Sequence, residues 1–77
     1  MTFTTKQDQY LAFICTYTKL HGRAPAEAEI QSHFRVTPPS VHQMILTLER
    51  KGLIARQPGV ARSIRVLVPA DEITALG

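Results

Sequence analysis

The chain has 77 residues, which is enough for one small domain and too few for two. Its hydrophobic content of 44% excludes a disordered chain, and no apolar run approaches the roughly 18 residues that would indicate a membrane span. The formal net charge of +3 is unevenly distributed along the sequence, which favours an anionic partner for one part of the chain.

The first half of the chain predicts two amphipathic helices. The first helix begins at an N-cap Thr5, with Asp8 completing an approximate capping box, and ends at Gly22. Apolar side chains recur in it at three- and four-residue spacing, which is typical of a helix with one buried face. A second, shorter helix begins at about residue 26 or 27 and ends at Phe34. A connection of only three residues, 35–37, leads to the next helix.

The third predicted helix, 38–51, has two chemically different faces. Thr37 caps it, and its first turn holds two prolines, whose missing amide protons are not needed there. Its apolar face consists of Val41, Met44, Ile45 and Leu48. The opposite face begins with small or hydrogen-bonding side chains and includes one exposed apolar residue, Leu46. Such a helix can anchor in a core and still present polar groups to a partner.

A β-hairpin is predicted to follow. Residues 53–57 form one short strand, 58–61 a turn, and 63–68 a strand rich in β-branched residues. The fold class is therefore α+β: a small winged helix-turn-helix, with three helices followed by a two-stranded β-hairpin wing. We place the domain at residues 1–68 and expect residues 69–77 to form a loose C-terminal tail.

The order of elements and the charge together indicate double-stranded DNA as the partner. Residues 37–68 hold five basic residues and one acidic residue, and lysine and arginine release counterions from nucleic acid. A solvated basic surface would explain the charge equally well. In this fold, however, a short connection lets one helix brace the next, which enters a major groove about 12 Å wide.

Candidate contact residues follow from their places in the helix and the wing. The first turns of the third helix carry the candidate base contacts Thr37, Ser40, His42 and Gln43. Candidate contacts to the phosphate backbone are Thr47, Arg50, Arg56 and, at the tip of the wing, Arg62. The alternative is a helix cap with a solvated surface, and for one of the wing arginines an ion pair with Glu49 or with the tail.

Four segments resemble the DNA-binding domain of the LexA repressors, which control the bacterial SOS response. They are Thr-Lys-Gln at 5–7, Gly-Arg-Ala-Pro-Ala-Glu-Ala-Glu-Ile at 22–30, Leu-Glu-Arg-Lys-Gly-Leu-Ile at 48–54 and Pro-Gly-Val-Ala-Arg-Ser-Ile-Arg at 58–65. The resemblance implies that Pro39 also faces bases and that wing residues 58–62, including Gly59, contact the backbone. The family has acidic side chains where His42 and Gln43 stand, so its operator sequence is not expected to apply.

Partners and location are predicted in the same way. A single recognition helix rarely gives high affinity, so we expect two copies to pair on a two-fold operator, with homodimers forming either in solution or only on DNA. The N-terminus lacks the apolar block of a signal peptide, which predicts a soluble cytoplasmic protein associated with the nucleoid and without a membrane partner. We expect the protein to bind DNA as a repressor of transcription.

Side chains with catalytic or metal-binding chemistry do not group in the sequence. Cys15 is the only cysteine, so no intrachain disulfide can form, and we expect its thiol to be inert. The three histidines are too far apart in the sequence to form a local pair of metal ligands. We therefore predict no catalytic residue, no metal, no cofactor and no small-molecule ligand, and a protein that is not an enzyme.

Two other functions stay open at this point. One is a winged-helix module for protein interaction, with Leu46 and the acidic tail as its interface. The other is the DNA-binding half of a longer repressor, because Asp71-Glu72-Ile73 resembles the start of the hinge in LexA. LexA repressors cleave themselves through a Ser/Lys pair in a second domain. This chain ends before that domain, so we expect it not to cleave itself.

Overall fold

The computed structural model describes residues 3–76 and contains three helices followed by a two-stranded antiparallel sheet. The elements are α1 (Thr5–His21), α2 (Glu27–Phe34), α3 (Pro38–Arg50), β1 (Ile54–Ala55) and β2 (Arg65–Val66), with 3-10 helices at Ala70–Glu72 and Thr74–Leu76. The predicted fold class is confirmed. Within residues 3–76, no helix combines the length and the apolar content needed to cross a membrane.

A single core joins the three helices to the wing. It includes the buried side chains of Leu11, Ile14, Ile30, Val41, Ile45, Leu48, Leu53, Ile54, Ile64, Val68 and Ile73. Each of α1, α2 and α3 contributes one apolar face, as expected for helices packed around one core. Burial of these side chains is the main force that fixes α3 against the rest of the domain.

The connection between α2 and α3 has the predicted three residues and is held at both ends. Arg35 ends α2 in a left-handed conformation with φ of 55°, and its amide donates to the Gln31 carbonyl at 2.8 Å. This geometry closes the last turn of the helix and redirects the chain at once. Thr37 then caps α3 by accepting a hydrogen bond from the Ser40 amide at 3.4 Å.

The N-cap of α1 is Thr4, not the predicted Thr5. The Thr4 hydroxyl accepts from the Gln7 amide at 3.1 Å, and the Gln7 side-chain oxygen accepts from the Thr4 amide at 3.0 Å. These reciprocal bonds form a capping box that starts one residue earlier than expected. Asp8 lies outside the box and is available for another partner.

That partner is the C-terminal tail, which was expected to be loose and is instead part of the domain. The Asp8 carboxylate accepts hydrogen bonds from the backbone amides of Thr74 at 2.8 Å and Ala75 at 2.7 Å. Between the two 3-10 helices, the Ile73 side chain is buried in the core with 2% of its surface exposed. The packed domain therefore extends through residue 76, beyond the boundary predicted at residue 68.

The wing is a shorter ribbon than the sequence predicts. Each strand has two residues, with Ile54 opposite Val66 and Ala55 opposite Arg65. The Leu67 amide adds one further hydrogen bond to the Leu53 carbonyl at 2.9 Å. Residues 56–64 between the strands form a loop rather than a continued ladder, so the wing depends on side-chain contacts for its shape.

The packing of the tail can be tested by truncating its buried side chain. Ile73→Ala should lower the free energy of unfolding by about 2–5 kcal/mol, because it leaves a cavity in the core. Leu76→Ala is the matched control, since that side chain is 38% exposed. It should change the free energy of unfolding by less than about 1 kcal/mol in the same urea titration. If Ile73→Ala changed the free energy of unfolding as little as Leu76→Ala does, the tail would not belong to the cooperative domain.

Candidate nucleic-acid interface

The predicted base-contact residues lie on an exposed surface at the start of α3. Thr37, Pro39, Ser40, His42 and Gln43 are all exposed. The buried positions of the helix, four and three residues apart on its other face, are Val41, Ile45 and Leu48. The helix is thus held by its apolar side while its polar first turns face solvent, which is the geometry that groove reading requires. Base contact by these five residues stays a prediction.

Two hydroxyl groups at this end of α3 are already paired. The oxygen atoms of the Thr37 and Ser40 side chains are 2.9 Å apart, and either hydroxyl can be the donor. Each oxygen keeps lone pairs that are free to accept a further hydrogen bond. The hydrogen bond joins the capping residue to the first turn of α3 on its exposed side.

His42 lies on the side of α3 that faces the start of α2. Its Nδ1 atom is 3.4 Å from a carboxylate oxygen of Glu27, and both side chains stay substantially exposed. A protonated imidazole would form an ion pair with this carboxylate. Glu27 therefore lies beside the candidate interface, a contact that the sequence did not indicate.

A chain of hydrogen bonds follows the outer face of α3 towards its end. The Thr47 hydroxyl donates to the backbone carbonyl of Gln43 at 2.9 Å, and the Arg50 guanidinium donates to the Thr47 hydroxyl oxygen at 3.3 Å. Arg50 is exposed, and Thr47 is partly exposed. The structure therefore brings the two backbone-contact candidates of α3, Thr47 and Arg50, together, with Thr47 bonded to the backbone of Gln43 and not to its side chain.

Arg56 has a carboxylate partner within the domain. Its Nε atom is 3.2 Å from a carboxylate oxygen of Glu49, and its side chain is only 18% exposed. The pair joins the end of α3 to the segment that follows β1. Because a neighbouring carboxylate offsets its charge, Arg56 attracts a phosphate less strongly than a free arginine would.

Arg62 does not point outward from the tip of the wing as expected. Its backbone is left-handed with φ of 58°, and its side chain, 34% exposed, turns back towards α1 and α2. The Nη1 atom is 2.7 Å from a carboxylate oxygen of Glu29 and 3.2 Å from the carbonyl oxygen of Ala24. The partner is neither Glu49 nor the tail, the two that the sequence suggested.

Glu29 is the centre of this cluster. The Tyr17 hydroxyl donates to one carboxylate oxygen, and the other accepts from the Ala26 amide at 2.8 Å as well as from Arg62. The hydrogen bond from Tyr17, followed by that from Ala26 and the contact with Arg62, lowers the pKa of Glu29 from 4.5 to about 2. Glu29 also supplies the cap at the start of α2, where Ala26 has no side-chain oxygen.

The loop of the wing is closed by the side chain of Ser63. Its hydroxyl accepts from the Gln57 amide at 2.9 Å and lies 3.1 Å from the Gln57 carbonyl and 2.9 Å from the Val60 carbonyl. Gly59, a candidate backbone contact, is exposed in this loop and has φ of 78°, a conformation that glycine adopts without strain. The loop therefore has an internally fixed shape.

Two other sequence predictions have structural outcomes. Leu46 is partly buried rather than exposed, so it offers less apolar surface to a protein partner than expected. Cys15 is partly buried in α1, and this burial raises the pKa of its thiol, which disfavours the reactive thiolate.

Comparison with known proteins identifies the family. Residues 1–63 match the LexA DNA-binding domain. The chain belongs to the LexA DNA-binding domain family. This membership agrees with the geometry of α3 and the wing, and it favours DNA binding over the alternative of a protein-interaction module.

Full-length relatives show the extent of the match. The chain is 39% identical to the LexA repressor of Thermosipho africanus over 92% of its own length and 36% of that protein. It is 37% identical to the LexA repressor of Petrotoga mobilis, with 94% and 35% of the two chains covered. For the LexA repressor of Koribacter versatilis the identity is 35%, with coverage of 95% and 35%. The chain thus spans about a third of the length of these relatives.

The cluster around Glu29 should make stability depend on pH in a defined window. Its pKa is lower in the folded chain, so its contribution is complete above the ordinary value of 4.5 and is lost as the pH falls towards about 2. Glu29→Gln removes the titrating group. The difference in unfolding free energy between the unmodified protein and this variant should therefore stay nearly constant from pH 6 to about pH 5 and then shrink as the pH falls to 2.5.

Urea unfolding at a series of pH values measures this difference. A difference that stays constant or grows on acidification would show that the carboxylate of Glu29 is not preferentially ionised in the folded state.

Proposed function

We propose that this domain binds specific sites in double-stranded DNA and thereby represses transcription. The observation that carries the proposal is the exposed polar start of α3, fixed by a buried apolar face and followed by a wing, in a chain of the LexA DNA-binding domain family. In this proposal α3 enters the major groove and the wing follows the adjacent backbone. The activity is binding alone, without a chemical step.

Sequence would be read by the first turns of α3. A glutamine can pair with both edge groups of adenine, so Gln43 is the strongest candidate for direct discrimination between bases. Thr37 and Ser40 can donate to or accept from a base edge, and Pro39 offers an apolar surface to a thymine methyl group. His42 would contact a base or phosphate beside them.

Affinity without sequence preference would come from contacts to phosphates. Arg50 and Thr47 lie farther along the exposed side of α3, where a helix in the major groove passes close to a strand of the backbone. The backbone around Gly59 can approach a phosphate closely because glycine has no side chain. Arg56 is the weaker candidate, since Glu49 already offsets its charge.

Two copies of the domain are proposed to act together on one operator. One domain presents one recognition helix, and a single module rarely provides the affinity that a repressor needs. Two copies related by a two-fold axis would read two half-sites separated by about one helical turn of DNA. The site of action would be the nucleoid in the cytoplasm.

Selection of bound duplexes from a random pool tests the proposal directly. We expect enrichment of one motif, with a two-fold symmetric arrangement of half-sites, and binding in gel shifts that weakens steeply with salt. Failure to bind any duplex at low salt, in a protein shown to be folded, would contradict the proposed function.

Gln43→Ala should relax sequence preference more than it reduces binding in general. Loss of a bidentate contact to a base costs about 1–3 kcal/mol of discrimination at that base pair. Competition between the selected operator and single-base variants measures this discrimination. Asn, which keeps the amide on a shorter side chain, is the control substitution, and unchanged preference in Gln43→Ala would exclude Gln43 as a base contact.

Arg50→Gln should weaken binding to all duplexes alike. If Arg50 neutralises one phosphate, the slope of log affinity against log salt concentration should fall in magnitude by about 0.9. Titrations of the operator and of a scrambled duplex at several salt concentrations measure both effects. A change in sequence preference with an unchanged salt slope would place Arg50 against a base instead.

A further inference from the structure

The wing has too few backbone hydrogen bonds to set its own direction. Its strands pair over only two residues each, so the sheet forms a narrow base for the nine-residue loop of residues 56–64. Ser63 fixes the shape of that loop from within. These contacts hold the loop together but do not orient it relative to α3.

Two arginine side chains link the loop to the helices: Arg56, at its base, pairs with Glu49 of α3, and Arg62, farther along the loop, reaches α1 and α2. The guanidinium of Arg62 reaches the carboxylate of Glu29 in α2 at 2.7 Å and the carbonyl oxygen of Ala24, just before α2, at 3.2 Å. A third contact, at 3.4 Å, joins it to the hydroxyl of Tyr17 in α1. Arg62 thus contacts side chains of both α1 and α2.

The acceptors are themselves fixed by other contacts. Both carboxylate oxygens of Glu29 have donors, from Tyr17 on one side and from the Ala26 amide on the other, so the carboxylate cannot rotate freely to follow the arginine. An ion pair with a fixed partner constrains geometry more strongly than one between two mobile side chains. The link is therefore suited to hold the wing in one orientation.

We propose that Arg62 is a positioning residue that sets the wing against α1 and α2, and that it does not contact a DNA phosphate. Through it, the wing and α3 keep the fixed spacing needed to contact the groove and the backbone at the same time. This inference rests on the proposed function and replaces the sequence-based role of Arg62. Glu29 and Tyr17, neither of them a cation, become determinants of DNA affinity.

The two roles of Arg62 predict opposite effects of Glu29→Gln. If Arg62 contacted a phosphate, weakening its ion pair and removing a negative charge would strengthen DNA binding. If Arg62 positions the wing, the same change weakens binding, because the wing becomes mobile and must be ordered when DNA binds.

The experiment measures affinity for the selected operator over a range of salt concentrations in Arg62→Gln, Glu29→Gln, the double variant and Tyr17→Phe. Arg65→Gln, a change at an exposed wing arginine, is the matched control for loss of one positive charge. We expect Arg62→Gln and Glu29→Gln each to lower affinity about tenfold, a loss equal to about 1.4 kcal/mol. The double variant should lose no more than either single one, because both changes break the same link.

The salt dependence separates positioning from phosphate contact. Arg62→Gln should leave the salt slope unchanged. A slope reduced in magnitude by about 0.9, or tighter binding by Glu29→Gln, would overturn the proposal. Additive losses in the double variant would overturn it as well.

Backbone amide exchange in the absence of DNA provides a second readout that does not depend on the proposed function. The hydrogen-bonded loop amides of Gln57 and Val60 should exchange faster in Arg62→Gln and Glu29→Gln than in the unmodified protein, while those of α3 stay protected. Unchanged exchange in the wing would overturn the anchoring role even if DNA binding fell. Conversely, faster exchange in a protein that binds no duplex would support the anchor and contradict only the proposed function.

Discussion

The placement of α3 depends on the burial of its apolar face. Val41, Ile45 and Leu48 are almost fully buried, and they leave the helix only one side for contact with solvent or a partner. The Thr37 cap and the two prolines fix the residue at which the helix begins, and this determines which polar side chains lie on its exposed side. The proposed reading of DNA by α3 depends on this orientation.

The positive charge of the second half is less available to DNA than its total suggests. Arg56 and Arg62 form ion pairs with Glu49 and Glu29, and Lys51 donates to the side-chain oxygen of Gln7 at 3.1 Å. Two of the five basic residues in 37–68 thus have carboxylate partners, and two more, Arg50 and Lys51, donate to neutral oxygens within the domain. Counting charges along a sequence overestimates an anion-binding surface wherever cations also join elements of the fold.

The fold was predictable because each helix carries a regular apolar face and clear end signals. What the sequence could not show was the pairing of residues distant in the chain. Arg62 and Glu29 are separated by 33 positions, and nothing local marks either as the partner of the other. The packing of Ile73 was missed for the same reason: a single apolar residue after two acidic ones resembles a solvated tail until α1 provides the surface that buries it.

The paired hydroxyls of Thr37 and Ser40 have a consequence for the operator itself. Each hydroxyl has its own proton and either one can be the donor within the pair, so the other O–H can donate outward while the oxygens keep lone pairs that accept, without movement of a heavy atom. Such a pair distinguishes poorly between base edges that differ only in hydrogen-bond polarity. If these two hydroxyls contact a base pair as proposed, that base pair should vary more among bound sites than one read by the Gln43 side chain.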